Sequence, residues 1–134
     1  MKQQTYTRIN DERGQTMTEF ALILPIFITL LFAIIQFGIA FNNYVTLTDA
    51  ARAGARKAAV SRGAGNPAGA CKAAVLAAAS NLNQSTLNPK VQCLSSWAPG
   101  SDVEVDAAYP YSINLFGFVV ASGDLTTVMK ERVE

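Results

Sequence analysis

The stretch "RGQTMTEF", Arg13 to Phe20, places a carboxylate, Glu19, at the entrance of a long apolar run and a glycine, Gly14, five residues before it. An ionisable group at or inside a lipid boundary is expensive and calls for a partner. A cut between Gly14 and Gln15 would supply one, because it liberates an α-amino group close to Glu19. A paired charge is tolerable in lipid where an isolated one is not. The pair would form within one chain or between neighbours in a bundle, and between neighbours it would set the axial register of packed helices. A simpler reading stands beside this one. Thr16-x-x-Glu19 fits a capping box, with Glu19 reaching back to an orphan backbone amide and Gly14 as an ordinary loop residue.

Other chemistry is sparse. The 134 residues contain no histidine and two cysteines, Cys71 and Cys93. A zinc site would have to be built from carboxylates, so no metal and no cofactor are expected. Neither cysteine has a histidine to activate it, which argues against thiol catalysis. Asp102, Glu104 and Asp106 alternate along one strand face and read as a solvated surface. "GAGNPAG" lacks the lysine and hydroxyl that end a phosphate-cradling loop. The chain is therefore not expected to be an enzyme. Its formal net charge of +1 and the lack of a basic patch with interleaved aromatics argue against nucleic acid as a partner. If the cysteines face an oxidising compartment, a Cys71–Cys93 disulfide is the natural reading; two reduced buried thiols would look the same in sequence.

The elements that must position these groups follow from spacing. Phe20 to Phe41 gives 22 residues without a formal charge, roughly 33 Å as a helix and long enough to cross a bilayer. Pro25, Thr29, Gln36 and Gly38 are its interruptions, and Pro25 marks a kink. Helix-forming sequence continues beyond Phe41, so that one helix is expected from about Met17 to about Val60. Leu47, Ala51, Gly54, Ala55 and Ala58 fall on one stripe of it. The small-residue steps Ala50-x-x-x-Gly54 and Ala51-x-x-x-Ala55 suit close packing, on this chain's second helix or on a neighbour. "SRGAGNPAG" stops the helix, and Asn66 with Pro67 starts a second, alanine-rich one that is expected to end near Leu82. The period then changes to two. "KVQCLSSW" and "SDVEVDAAYPY" read as strands, and "DLTTVMKERV" as a third with less regular alternation. "INLFGFVVASG" reads either as an irregular connection or as an exposed contact surface. The expected fold is α+β: a transmembrane and stalk helix over 15–60, and a head over 61–134 with one further helix and an antiparallel sheet of about three strands. Within a similar distance of the apolar run, basic residues number three on each side, Lys2, Arg8 and Arg13 before it and Arg52, Arg56 and Lys57 after it, so charge does not orient it. The cysteines favour a head that faces outward.

Gly14, "QTMT", Glu19-Phe20 and an apolar helix resemble the class III signal of type IV prepilins. More closely, "RGQTMTEFALILPIFITLLFAIIQFGIAF" followed by "AARAGARKAAV" resembles the TadE-like pseudopilins of tight-adherence (Flp) pilus systems, with "VMKERVE" similar to the family's ending. The resemblance implies a leader over 1–14, removed by prepilin peptidase between Gly14 and Gln15, and makes Glu19, followed by Phe20, the assembly charge. It implies a minor pilin that acts in pilus initiation, assembly or tip formation for surface adhesion. The implied partners are the peptidase, the inner-membrane platform proteins, other minor pilins and the major pilin. The implied location is the bacterial inner membrane, single-pass with a periplasmic head, or the exterior once in the pilus. Two features depart from the relatives: Gln15 stands where many type IV pilins have phenylalanine, and the head is larger than that of the major pilin. The alternative is an uncleaved, single-pass anchored accessory protein whose head binds a partner.

Overall fold

The computed structural model describes residues 12–134, so most of the expected leader lies outside the described residues. Helix α1 runs unbroken from Glu12 to Ala59, 48 residues, which makes it about 72 Å long. Its start lies two turns before Glu19. The capping-box reading of Thr16 and Glu19 is therefore overturned: neither residue is at a helix start. Helix continues through Pro25. The proline has no N–H to offer the carbonyl of Ala21, and the Thr29 hydroxyl donates to the carbonyl of Pro25 at 2.8 Å.

The two halves of α1 differ in environment. From Gly14 to Phe27 every side chain is exposed. From Leu47 onwards one face is sealed: Leu47, Ala50, Ala51, Ala55 and Ala58 are buried, as the stripe predicts. Arg56 and Lys57 sit in the last turn, where cations complement the negative end of the helix dipole.

Helix α2 (Pro67–Ala78) starts as expected. The Asn66 side chain accepts a hydrogen bond from the Gly69 N–H at 2.8 Å. It ends four residues earlier than the sequence suggests, at Ala78. A second asparagine, Asn83, then caps the short helix α3 (Gln84–Leu87), which the sequence reading missed. Gly54 sets the approach of α2 to α1. A Cβ built there would lie 2.3 Å from Val75 Cγ2 and 3.4 Å from the Cys71 carbonyl oxygen. The small-residue steps therefore serve this chain's own helix pair.

After a 3-10 turn (Asn88–Lys90) come strands β1 (Val91–Leu94), β2 (Asp102–Leu115) and β3 (Phe118–Arg132). They form one antiparallel sheet in the order β1-β2-β3. Val103, Val105 and Ala107 of β2 point into the core against α1, with Val91, Leu87 and Val133 around them. The fold is α+β, as the sequence implies. The irregular-connection reading of "INLFGFVVASG" is corrected. β2 and β3 extend towards each other and turn at Phe116 and Gly117, and the reputedly less regular third strand is the longest of the three. Leu115 pairs with Phe118, and Val120 is the extra residue of a bulge, since Ile113 pairs with Ala121 and Asn114 with Val119.

Candidate functional site at the N-terminal helix junction

Gly14, Gln15, Glu19 and Phe20 all lie on α1 and all are exposed. Helical spacing puts Gln15 one turn before Glu19 on the same face. The Gln15 side-chain amide donates to Glu19 Oε1 at 3.1 Å, and the Thr18 hydroxyl donates to the Gly14 carbonyl at 2.9 Å. The junction is thus organised by i,i+4 contacts within a single helix. A neutral amide solvates a carboxylate but does not cancel its charge, so the need for a cation in an apolar medium remains. A cut after Gly14 would leave Gln15 as the first helical residue. It would bring Glu19 within four residues of a helix N-terminus, where both the free ammonium and the dipole favour a negative charge.

Immediately after Glu19 begins the apolar surface. Phe20 is 60% exposed, and Ile23, Ile26, Leu30, Ile34, Phe37 and Phe41 continue along one side of the helix with comparable exposure, while Ile35 and Ile39 are exposed on another. No residue of this segment is fully buried, and the helix is long and apolar enough to cross a membrane over this region. Gln36 lies on the half-buried line of α1, with Ala33 and Ala40. Gly38 has open space around its Cα, so nothing within this chain requires glycine there.

Cys71 and Cys93 are joined, with a Cα–Cα distance of 6.5 Å, and the bond ties α2 to β1. This bridge belongs to the head and lies far along the chain from the junction. Among the described residues no group of three His, Cys, Asp or Glu side chains is gathered as metal ligands. The close fit of Gly54 to Val75 bears out the packing read from the step Ala50-x-x-x-Gly54. The β2–β3 hairpin tip, where the Phe116 ring meets Phe32 of α1 edge-on at 5.7 Å, escaped sequence reasoning. No local signal announced that pairing.

No curated protein and no solved structure matches this chain. Residues 14–56, from Gly14 through the apolar helix to Arg56, match the family model described as TadE-like protein, the same family that the sequence resembles over this stretch.

Proposed function

We propose that the chain is a minor pilin, or pseudopilin, of a tight-adherence type IV pilus. It is a structural subunit rather than an enzyme. Prepilin peptidase would cut between Gly14 and Gln15. The apolar half of α1 would hold the product in the bacterial inner membrane with the head on the periplasmic side. The platform proteins would then draw it into an assembly with other minor pilins and the major pilin. Transfer from lipid to a helix bundle costs little, because one apolar surround replaces another. In the bundle, the ammonium of Gln15 would meet the carboxylate of Glu19, on the same chain or a neighbour, and fix the axial register.

The observation that carries this reading is the position of Glu19. It is an exposed carboxylate at the foot of an uncharged helix, its hydrogen-bond partner there is a neutral amide, and that amide belongs to the residue that cleavage would turn into a cation. Mass spectrometry of the chain from cells with and without active peptidase tests it. Loss of the first 14 residues from 134 leaves 120, and Gly14→Ala should abolish the shorter species. Recovery of the full-length chain alone from peptidase-positive cells would sink the proposal.

One observation favours the uncleaved anchor as a second reading: helix runs without a break through Gly14 and Gln15, and the uncut chain already gives Glu19 a hydrogen bond. Glu19→Ala separates the two. An uncleaved anchor would keep its function, whereas an assembling subunit would insert normally and fail to support filaments.

A further inference from the structure

The hairpin formed by β2 and β3 outruns the rest of the sheet. β1 pairs only with Glu104 to Ala107 of β2, so from Ala108 to the turn the hairpin has two strands. It lies along α1 and runs back towards the N-terminal end of the helix. A cleft of about 510 Å³ separates Phe37, Ala40, Phe41 and Tyr44 of α1 from Tyr111 and Ile113 of the hairpin. Further down, Phe116 reaches Phe32. Two-stranded hairpins are marginal in water without something to cover them.

The composition of the tip matches its position. Residues 107–123 form 17 consecutive positions without a formal charge, bracketed by Asp106 and Asp124. Phe116, Phe118, Val119 and Val120 are all more than 60% exposed. Phe116 and Gly117 both have positive φ, 51° and 88°, the signature of a two-residue hairpin turn that favours asparagine and glycine. A phenylalanine held there is strained and, because it is exposed, does not fill a core. Strain at an exposed apolar residue points to a role outside the chain's own packing.

We propose that this hairpin tip is a second membrane-contacting element: Phe116, Phe118, Val119 and Val120 dip into the leaflet on the head's side, beside the α1 span. The inference rests on the membrane-anchored reading of α1. Continuity with the span identifies lipid as the occupant. Phe32 stands nine residues before Phe41 in the apolar run, about 14 Å along the helix axis. Placing that run in a bilayer carries Phe116 down with it. The unpaired backbone edges of both strands limit the depth, since such groups are not tolerated in the hydrocarbon interior. That limit sets the head-side boundary near Gln36, a polar residue of the run, four residues and about 6 Å from Phe32, so that the tip lies just below the headgroups.

Tryptophan quenching tests the depth. Trp97 is the single tryptophan and lies in the loop between β1 and β2, at the opposite end of the sheet from the tip. The full-length chain would be reconstituted in phosphatidylcholine vesicles brominated either high on the acyl chain or near its end. The wild type would be compared with Phe118→Trp and Ile26→Trp, each in a Trp97→Phe background; Ile26 is exposed and lies about 9 Å deeper along the helix than Phe32. I26W should respond most to the deep bromines. F118W should lose a severalfold larger fraction of its emission than wild type, and most with the shallow ones. Quenching of I26W but of F118W no more than wild type would overturn the tip proposal and leave the anchored helix standing. Failure of both to quench would overturn the anchored reading together with the tip. If F118W were shielded from bromine and crosslinked to a second copy, the occupant would be protein, and the proposal would be wrong.

Discussion

The two halves of α1 are one continuous helix with two kinds of surface. Before Phe41 its apolar side chains point in every direction and most are exposed, with only Ile28, Ala33 and Ala40 half-buried among them. After Leu47 one stripe of leucine, alanine and glycine is sealed under α2 and the sheet, while Asp49, Arg52 and Arg56 face water. Residue hydrophobicity alone would rank the first half as the better core. It is instead exposed, and long and apolar enough to cross a membrane, where size and packing against a fixed neighbour would matter little. The second half has smaller side chains and tolerates much less change.

The two glycines provide the most severe test of that contrast. Gly54→Leu would drive a side chain into Val75 and the Cys71 carbonyl, both fixed in the core, and should cost about 3 kcal/mol or more. Gly38→Leu has open space within 4 Å, and the stability of the head should change by less than about 0.5 kcal/mol. Urea unfolding in detergent micelles, followed by near-UV circular dichroism, measures both. Comparable losses for the two variants would show that the membrane half is also packed against a fixed partner within the chain.

The disulfide gives the next effect in size. Cys71 and Cys93 close a loop with a sequence separation of 22, and removing the bond should destabilise the head by about 3 kcal/mol through the entropy it takes from the unfolded chain. The double variant Cys71→Ser, Cys93→Ser should melt earlier in its tertiary signal while the far-UV helical signal of the apolar half persists in micelles. A single transition that removes both signals would mean that the halves fold as one unit and that the division into two kinds of surface has no energetic counterpart.

How far the sequence discloses this arrangement depends on whether a feature is local. The apolar run declares itself by length, and the stripe from Leu47 to Ala58 by its period. Asn66-Pro67 marks a helix start because capping chemistry lies within three residues. The alternation from Val103 to Ala107 reports a sheet with one face covered. The features that were not legible are those settled by distant partners. The N-terminal boundary of α1 was placed late because "ERGQTMT" is neither a strong former nor a clear stop. The tip hid because Phe116-Gly117 lacks the Asn-Gly signature and Phe118 to Ala121 is apolar at every position, although Tyr109, Tyr111, Ile113 and Leu115 alternate with small or polar residues on β2. At the junction, Gln15 and Glu19 already stood at helical i,i+4 spacing, but treating Gln15 only as a future terminus left its side-chain amide unconsidered.

The weakest effect sharpens the comparison from the side of water. Glu104 and Lys130 are directly opposite on β2 and β3, with Nζ donating to Oε2 at 2.9 Å on the outer face of the sheet. The Lys130 ammonium is held above its ordinary pKa, chiefly by the hydrogen bond and charge of Glu104, with smaller help from Asp102 and Asp106 and some opposition from desolvation. A raised lysine pKa in the folded state contributes stability that is fully present below the unfolded value near 10.5 and is lost as pH rises through the folded value. Both side chains are well exposed, so the contribution is screened and small. Lys130→Met should lower the melting temperature of the head slightly at neutral pH and low salt, and the difference from wild type should shrink with added salt and close as the pH rises past the raised folded value, where the lysine is neutral in both states. A difference that persisted unchanged at high salt and at a pH above the raised folded value would mean that Lys130 acts through packing of its aliphatic stem, and that this face of the head is less a water-facing surface than its charges suggest.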